Sequence, residues 1–196
     1  MTFIVCGDLV ANAKLLDDER LGKQRVEASQ ILDAISNATG WKNHPASVAW
    51  YNFVNALKYY ANCIIQEWVN RGKNNTMPFF EIVGEIVMPW WVTWDRLHQS
   101  HRAMLIRKHP SYYHDKFDID LDYFNYGYIW PSKVPYEMRN APLAEITAPI
   151  APEYINAIYC SAVLKSGSNA GSCCFRLVRD KQPYCGRHRR FYTVSL

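Results

Sequence analysis

Leu21-Gly22-Lys23-Gln24-Arg25-Val26-Glu27 is the stretch on which the reading of this chain turns. It sets two cations, an amide and a carboxylate inside a helix expected from Asp18 to Ile35, stopped by the turn Asn37 to Gly40. On a 3.6-residue period Leu21, Ala28, Leu32 and Ile35 form an apolar stripe. Arg20, Lys23, Glu27 and Gln30 gather on another face. Gln24 and Arg25 fit neither group, because they lie on or beside the stripe. A polar side chain turned inward there must find partners or destabilise the fold. Taken alone, the helix also fits an amphipathic element with a solvated charged face. The rest of the chain gives the inward polar groups their weight.

Working outward, a second helix is expected from His44-Pro45, where proline suits a first turn, to Arg71-Gly72, a basic end and a glycine stop. Trp50, Phe53, Val54, Leu57, Ala61, Ile64, Ile65 and Trp68 recur at helical spacing along it, making one long spine. Asn74 to Pro89 reads as a loop with some extended or short helical structure. A third helix runs from about Thr93 to Lys108 and closes at His109-Pro110. A tyrosine-rich stretch follows (Tyr112, Tyr113, Tyr123, Tyr126, Tyr128) and ends at Trp130-Pro131. No segment alternates convincingly as a strand, so the fold class is mostly α. Residues 1–140 form the helical domain on this reading. Pro142, Pro149 and Pro152 mark 141–156 as a linker, and 157–196 is a small cysteine-rich module.

The chain has 196 residues, 20% charged and 14% aromatic, which suits a packed globule and excludes a disordered tail protein. A net charge of +4 permits a polyanionic partner without demanding one. No apolar run reaches the roughly 18 residues of a membrane span. The amino terminus lacks a basic region and an apolar signal core. An intracellular, reducing location is expected, where clustered cysteines bind metal more often than they pair.

Cys160, Cys174, Cys185 and His188 offer three thiolates and an imidazole, a closed tetrahedral set suited to structural zinc. Cys173 rivals Cys174 for its place, and free thiols on a solvated basic tail are the plain reading. The module has few large apolar residues, so a metal would supply its folding energy. Lys165, Arg176, Arg179, Lys181, Arg187, Arg189 and Arg190 stand there against Asp180 alone, so the basic excess of the chain lies in this module. In the third helix His98, His101 and Arg102 share a face. With no third ligand nearby, a patch of His101, Arg102, Arg107 and Lys108 reads better as a phosphate-facing surface than as a metal site. The tyrosines and tryptophans after Pro110 invite base stacking, although aromatics more often fill a core.

Several motifs carry a resemblance. Leu16-Asp17, Arg20 to Glu27, Trp41, His44-Pro45, Trp50, Trp68 and Arg71-Gly72 resemble a family of small bacterial and viral proteins. His98 to Arg102, Lys108 to Tyr113 and Tyr128 to Pro131 continue the match, which covers about Met1 to Lys133. That family resembles in turn the pyrimidine-dimer DNA glycosylases of the bacteriophage endonuclease V type. The resemblance implies a compact helical domain that binds damaged or modified double-stranded DNA and flips a base. It also implies a nucleophile that is the α-amine of a threonine exposed by methionine removal, acting through a Schiff base and β-elimination. Thr2 matches that threonine, and Arg25 matches the family's arginine. Val26 stands where the family has its glutamate, and Glu27 comes one residue later. The resemblance therefore makes Thr2, Glu27 and Arg25 the candidate catalytic residues. Arg20, Lys23, Gln24, His44, His101, Arg102 and Lys108 are the candidate DNA contacts.

Tyr184-Cys185-Gly186-Arg187-His188 resembles a short zinc-binding tail found on proteins of large DNA viruses, which points to such a source and to packaging in a virion. The first expectation is thus a glycosylase with AP lyase action. The second is a catalytically silent nucleic-acid-binding or virion structural protein, contacting virion proteins through its tail. A different reaction on a nucleoside, using Gln24, Arg25 and His44, stays open.

Overall fold

The computed structural model describes residues 2–38 and 40–150, with the backbone of 158–159 and 177–178; the side chain of Leu121 is not among them. The chain is mostly helical, as the patterning requires: α1 (Leu9–Leu15), α2 (Asp18–Asn37), α3 (Pro45–Trp50), α4 (Val54–Asn70), α5 (Asp95–Lys108), α6 (Pro110–Tyr113) and α7 (Leu143–Ile146). Two short strands, β1 (Ile158–Tyr159) and β2 (Leu177–Val178), pair antiparallel with Ile158 opposite Val178. No helix among the described residues is long and apolar enough to cross a membrane.

By its contacts the chain divides into two units, Met1–His101 with Tyr128–Thr147, and Arg102–Gly127 with Ala148–Leu196. In the first unit α4 packs against α1 and α2. Leu21, Ala28, Ile31 and Leu32 of α2 and Leu57, Ala61, Ile64 and Ile65 of α4 are buried, whereas Ile35 is only half-buried. Asp17 starts α2 by accepting from Glu19 N–H and Arg20 N–H, and Asp18 and Glu19 complement the positive end of the helix dipole. Ala38, at φ 51°, ends it in a left-handed turn, so α2 runs past the expected stop at Ile35.

The expected long spine is two helices. The chain leaves α3 after Trp50, and Phe53 N–H closes a tight turn on Trp50 C=O at 2.8 Å before α4 begins at Val54. The break follows from Trp50, whose fully buried indole is locked edge-on to Trp91 at 4.6 Å and tilted on Tyr60 at 6.0 Å. Helix α1 escaped the sequence reading; Asp8 caps it by accepting from Val10 and Ala11 N–H. Arg71 ties this corner together. Its guanidinium donates to Leu16 C=O at 2.8 Å, Lys14 C=O at 3.1 Å and Asp18 Oδ1 at 2.9 Å, filling carbonyls that the end of α1 leaves open. Residues 77–88 form an extended loop along α4. Asn55 and Lys58 donate to the Val83 and Glu81 carbonyls, and Asn62 bonds both the N–H and the C=O of Phe80.

In the second unit Tyr113 and Phe117 stack at 5.4 Å, Arg102 lies over Phe117 at 5.7 Å, and Arg107 donates to Phe124 C=O. Tyr113 and Tyr123 are buried, so these two of the tyrosine series serve the core. The candidate zinc ligands Cys160, Cys174, Cys185 and His188, and Cys173, lie outside the described residues.

Candidate functional site

Thr2 to Val5 form an extended, buried segment that belongs to no regular sheet among the described residues. Its backbone groups still need partners, and side chains supply them. Phe3 N–H donates to Gln24 Oε1 at 2.9 Å, Ile4 N–H to His101 Nδ1 at 2.9 Å, and Val5 N–H to Asn12 Oδ1 at 2.7 Å. Phe3 C=O accepts from Asn12 Nδ2 at 3.0 Å and from Tyr60 OH at 3.2 Å. Polar residues from α1, α2, α4 and α5 thus replace the missing neighbouring strand. This is why Asn12, Gln24 and His101 can be buried at all.

Gln24, 1% exposed, is the hub of this network. Its Oε1 takes Phe3 N–H and also the Tyr60 hydroxyl at 2.8 Å, so its Nε2 faces Glu27 and donates to Oε2 at 3.0 Å. The half-buried Glu27 carboxylate therefore stands one amide away from the backbone beside Thr2. Its negative charge reaches across the site, helping to raise Tyr60 and Tyr128 above an ordinary phenol, burial being the larger cause for both. Both phenols stay protonated, and Tyr60 donates a hydrogen bond to Gln24.

Thr2 is 5% exposed, and its Oγ1 accepts from Trp50 Nε1 at 2.9 Å. Thr2, Trp50, His101 and Trp130 share the lining of a small, largely apolar cleft. Burial lowers His101 from 6.5 to about 3, with His98 nearby reinforcing it. The ring is neutral, and because Nδ1 accepts from Ile4, the proton sits on Nε2. His98 Nε2 bonds Val92 C=O at 2.8 Å, so both histidines of the predicted shared face are committed to backbone. His44 begins α3, its Nδ1 accepting from Ala46 N–H at 3.2 Å. Burial and the positive amino terminus lower its pKa, against the opposing pull of Glu27.

The other candidates lie elsewhere on α2 or beyond it. Arg20, 14% exposed at its side chain, bonds Glu19 at 2.8 Å, and Lys23 bonds the same carboxylate at 2.7 Å. Arg25 turns to a different face, because one helical residue is about 100° of rotation from Gln24. Its guanidinium lies 4.0 Å over the Trp68 ring, Nη1 donates to Asn75 Oδ1 at 2.9 Å, and Nε is buried without a hydrogen-bond partner. Gly22 makes that packing possible, since a Cβ there would meet the Trp68 ring at 3.1 Å. Arg102 and Lys108 belong to the second unit, Lys108 exposed and Arg102 over Phe117.

The sequence reading brought Thr2, Gln24, Glu27, His44 and His101 into the candidate set, and the structure gathers all five in one unit. It missed Asn12 and Tyr60, both polar groups inside apolar patterns, and the donor role of Trp50. A half-buried carboxylate held by a buried amide, with two protonated phenols within reach of its charge, can accept a proton and stabilise a developing cation. Residues 1–81 match the family model described as pyrimidine dimer DNA glycosylase, which supports a relation to that family. No curated protein and no solved structure matches the chain significantly.

Proposed function

We propose that this protein is a DNA glycosylase with lyase activity, acting on a damaged or modified base in double-stranded DNA through the α-amine of Thr2 once the preceding methionine is removed. The observation that carries the reading is the Gln24 amide, which ties the Phe3 N–H to the Glu27 carboxylate within 2.9 and 3.0 Å. The unprotonated amine attacks C1′ of the sugar as the glycosidic bond pair leaves with the base, which takes a proton from solvent. The C1′–O4′ bond then opens with its electron pair going to O4′, which is protonated, leaving an iminium between C1′ and the amine. An α-amine near pKa 8 is partly unprotonated at neutral pH. Glu27 accepts the proton shed by the amine and stabilises the iminium. Loss of a C2′ proton to solvent then forms the C2′=C3′ double bond as the 3′ phosphate leaves with the C3′–O electron pair. Lys23 is held only by the exposed Glu19 carboxylate, and a surface pair of that kind is worth under about 1 kcal/mol, so a phosphate can replace it. Arg20 shares that carboxylate and also reaches the buried Asp17 at 3.5 Å, which keeps it in place to meet a second phosphate. The match over residues 1–81 supports the DNA partner.

The second reading, a silent binding protein, draws on the burial of Thr2. One experiment separates the two: incubate the protein with an abasic duplex, add borohydride, and map any adduct by intact mass and amino-terminal sequencing. An adduct on Thr2, lost in Thr2→Pro and greatly reduced in Glu27→Gln, is expected. Binding without any adduct from a protein beginning at Thr2 would favour the silent scaffold, with its basic tail as the contact.

A further inference from the structure

Trp41 stands in the turn between α2 and α3 and is 49% exposed, an unusual fraction for so large an apolar side chain. The turn is built to hold it out. Ala38 and Gly40 both take left-handed φ of 51°, and His44 N–H closes the turn on Trp41 C=O at 2.9 Å. The indole is not loose, because one face stacks on His44 at 5.1 Å with the planes 27° apart. With one face taken by the imidazole and about half of the side chain exposed, the opposite face has no ring partner among the described residues.

Ring contacts lead inward from the face that His44 covers. His44 meets Trp130 edge-on at 5.5 Å, Trp130 meets Tyr128 at 5.9 Å, and Tyr128 meets Phe3 at 6.2 Å. Trp130 also lines the cleft that holds Thr2. The series therefore ends at the residue next to Thr2, and His44 lies within electrostatic reach of both Glu27 and the amino terminus. The turn adds Lys42, exposed and adjacent to Trp41, a cation suited to a neighbouring phosphate.

We propose that the face of Trp41 opposite His44 is a stacking platform for an unpaired nucleobase, held at the edge of the Thr2–Glu27 site. This rests on the DNA reading above and adds a recognition element to it. A planar aromatic base gains contact with the indole whatever its hydrogen-bonding edge, so the platform selects unstacked bases over paired ones rather than one sequence over another. The base comes either from the target position or from the position opposite it.

The test uses two duplexes, one with 2-aminopurine opposite a tetrahydrofuran abasic analogue and one with 2-aminopurine mispaired at the target position. Tetrahydrofuran cannot form an imine, so binding is read apart from catalysis. Quenching on binding in one duplex and not the other identifies the source of the base. Trp41→Ala is expected to bind that duplex about five- to a hundredfold more weakly and to abolish the quench, with binding to undamaged duplex unchanged. Trp41→Phe should retain most of both. Trp41→Leu keeps apolar bulk against His44 and should behave like the alanine variant if the π face matters. Equal affinity and quenching in wild type, Trp41→Ala and Trp41→Leu would overturn the platform while leaving the glycosylase reading intact. Failure of the wild type to bind any of these duplexes would overturn both.

Discussion

Gln24 holds Glu27 through a single 3.0 Å hydrogen bond, and it can do so only because its own carbonyl is saturated by Phe3 N–H and Tyr60 OH. An amide has two ends, and occupying one as an acceptor fixes the other as a donor. The orientation of a carboxylate on α2 is thereby set by a backbone group of the amino-terminal segment. Two residues one helical turn apart behave as a single part.

Gln24→Leu removes that part. Phe3 N–H and Tyr60 OH lose a buried acceptor, and the variant should be less stable by about 2–4 kcal/mol in urea denaturation. Gln24→Glu keeps the acceptor but sets a second negative charge against Glu27, which raises the pKa of the pair. The acid limb of the borohydride-trapping rate should then move to higher pH, whereas a purely structural defect would lower the rate at all pH values alike.

His101 makes stability sensitive to acid. Its folded pKa of about 3 lies below the unfolded value near 6.5. Between these values the unfolded chain binds the extra proton. The contribution of His101 is therefore complete above about pH 6.5 and is lost as pH falls toward 3. Denaturant melts of wild type and His101→Gln across this range should converge as pH falls, with the wild type more stable near neutrality.

Gly22→Ala weighs two effects of opposite sign. Alanine improves helix propensity by up to about 1 kcal/mol. Against that, the new methyl meets Trp68 ring atoms at 3.1 and 3.2 Å, on an indole held by its Nε1 bond to Asn74 C=O and covered by Arg25. Overpacking of this kind costs about 1–3 kcal/mol, so a net loss of roughly 1 kcal/mol is expected in thermal or chemical denaturation.

The cysteine-rich tail makes a prediction in mass. Native mass spectrometry should find one zinc per chain, released by a chelator with loss of tail protection from protease. Cys185→Ser and His188→Ala should lose the zinc, and Cys173→Ser should keep it if Cys174 is the third thiolate ligand. Absence of zinc from the freshly purified protein would remove the assignment.

The helical class was legible because Leu21, Ala28 and Leu32 repeat at a helical period, and so was the special standing of Gln24, a polar group where an apolar one belongs. Glu27 was legible by type and only coarsely by direction, since its aim depends on Gln24, and Gln24 depends on Phe3 and Tyr60. Those partners lie 21 and 36 residues from Gln24 along the chain, beyond any local pattern. The break after Trp50 was hidden for a similar reason. Tyr51, Asn52 and Phe53 carry no proline or glycine to announce a stop, and the bend answers to the burial of Trp50 against Trp91. Arg25 was read with the site because it matches the arginine of the family that the chain resembles, but its surroundings are set by Trp68 and Asn75, far along the chain.

The buried amino-terminal segment also carries a schedule. The groups that enclose this segment come much later in the chain, Trp50 48 residues after Thr2 and His101 97 residues after Ile4. At synthesis rates of about 5–20 residues per second, that gap leaves several seconds during which the terminus is an open peptide. Only once His101 has emerged can the segment dock, so its enclosure is a late event of synthesis rather than an early one.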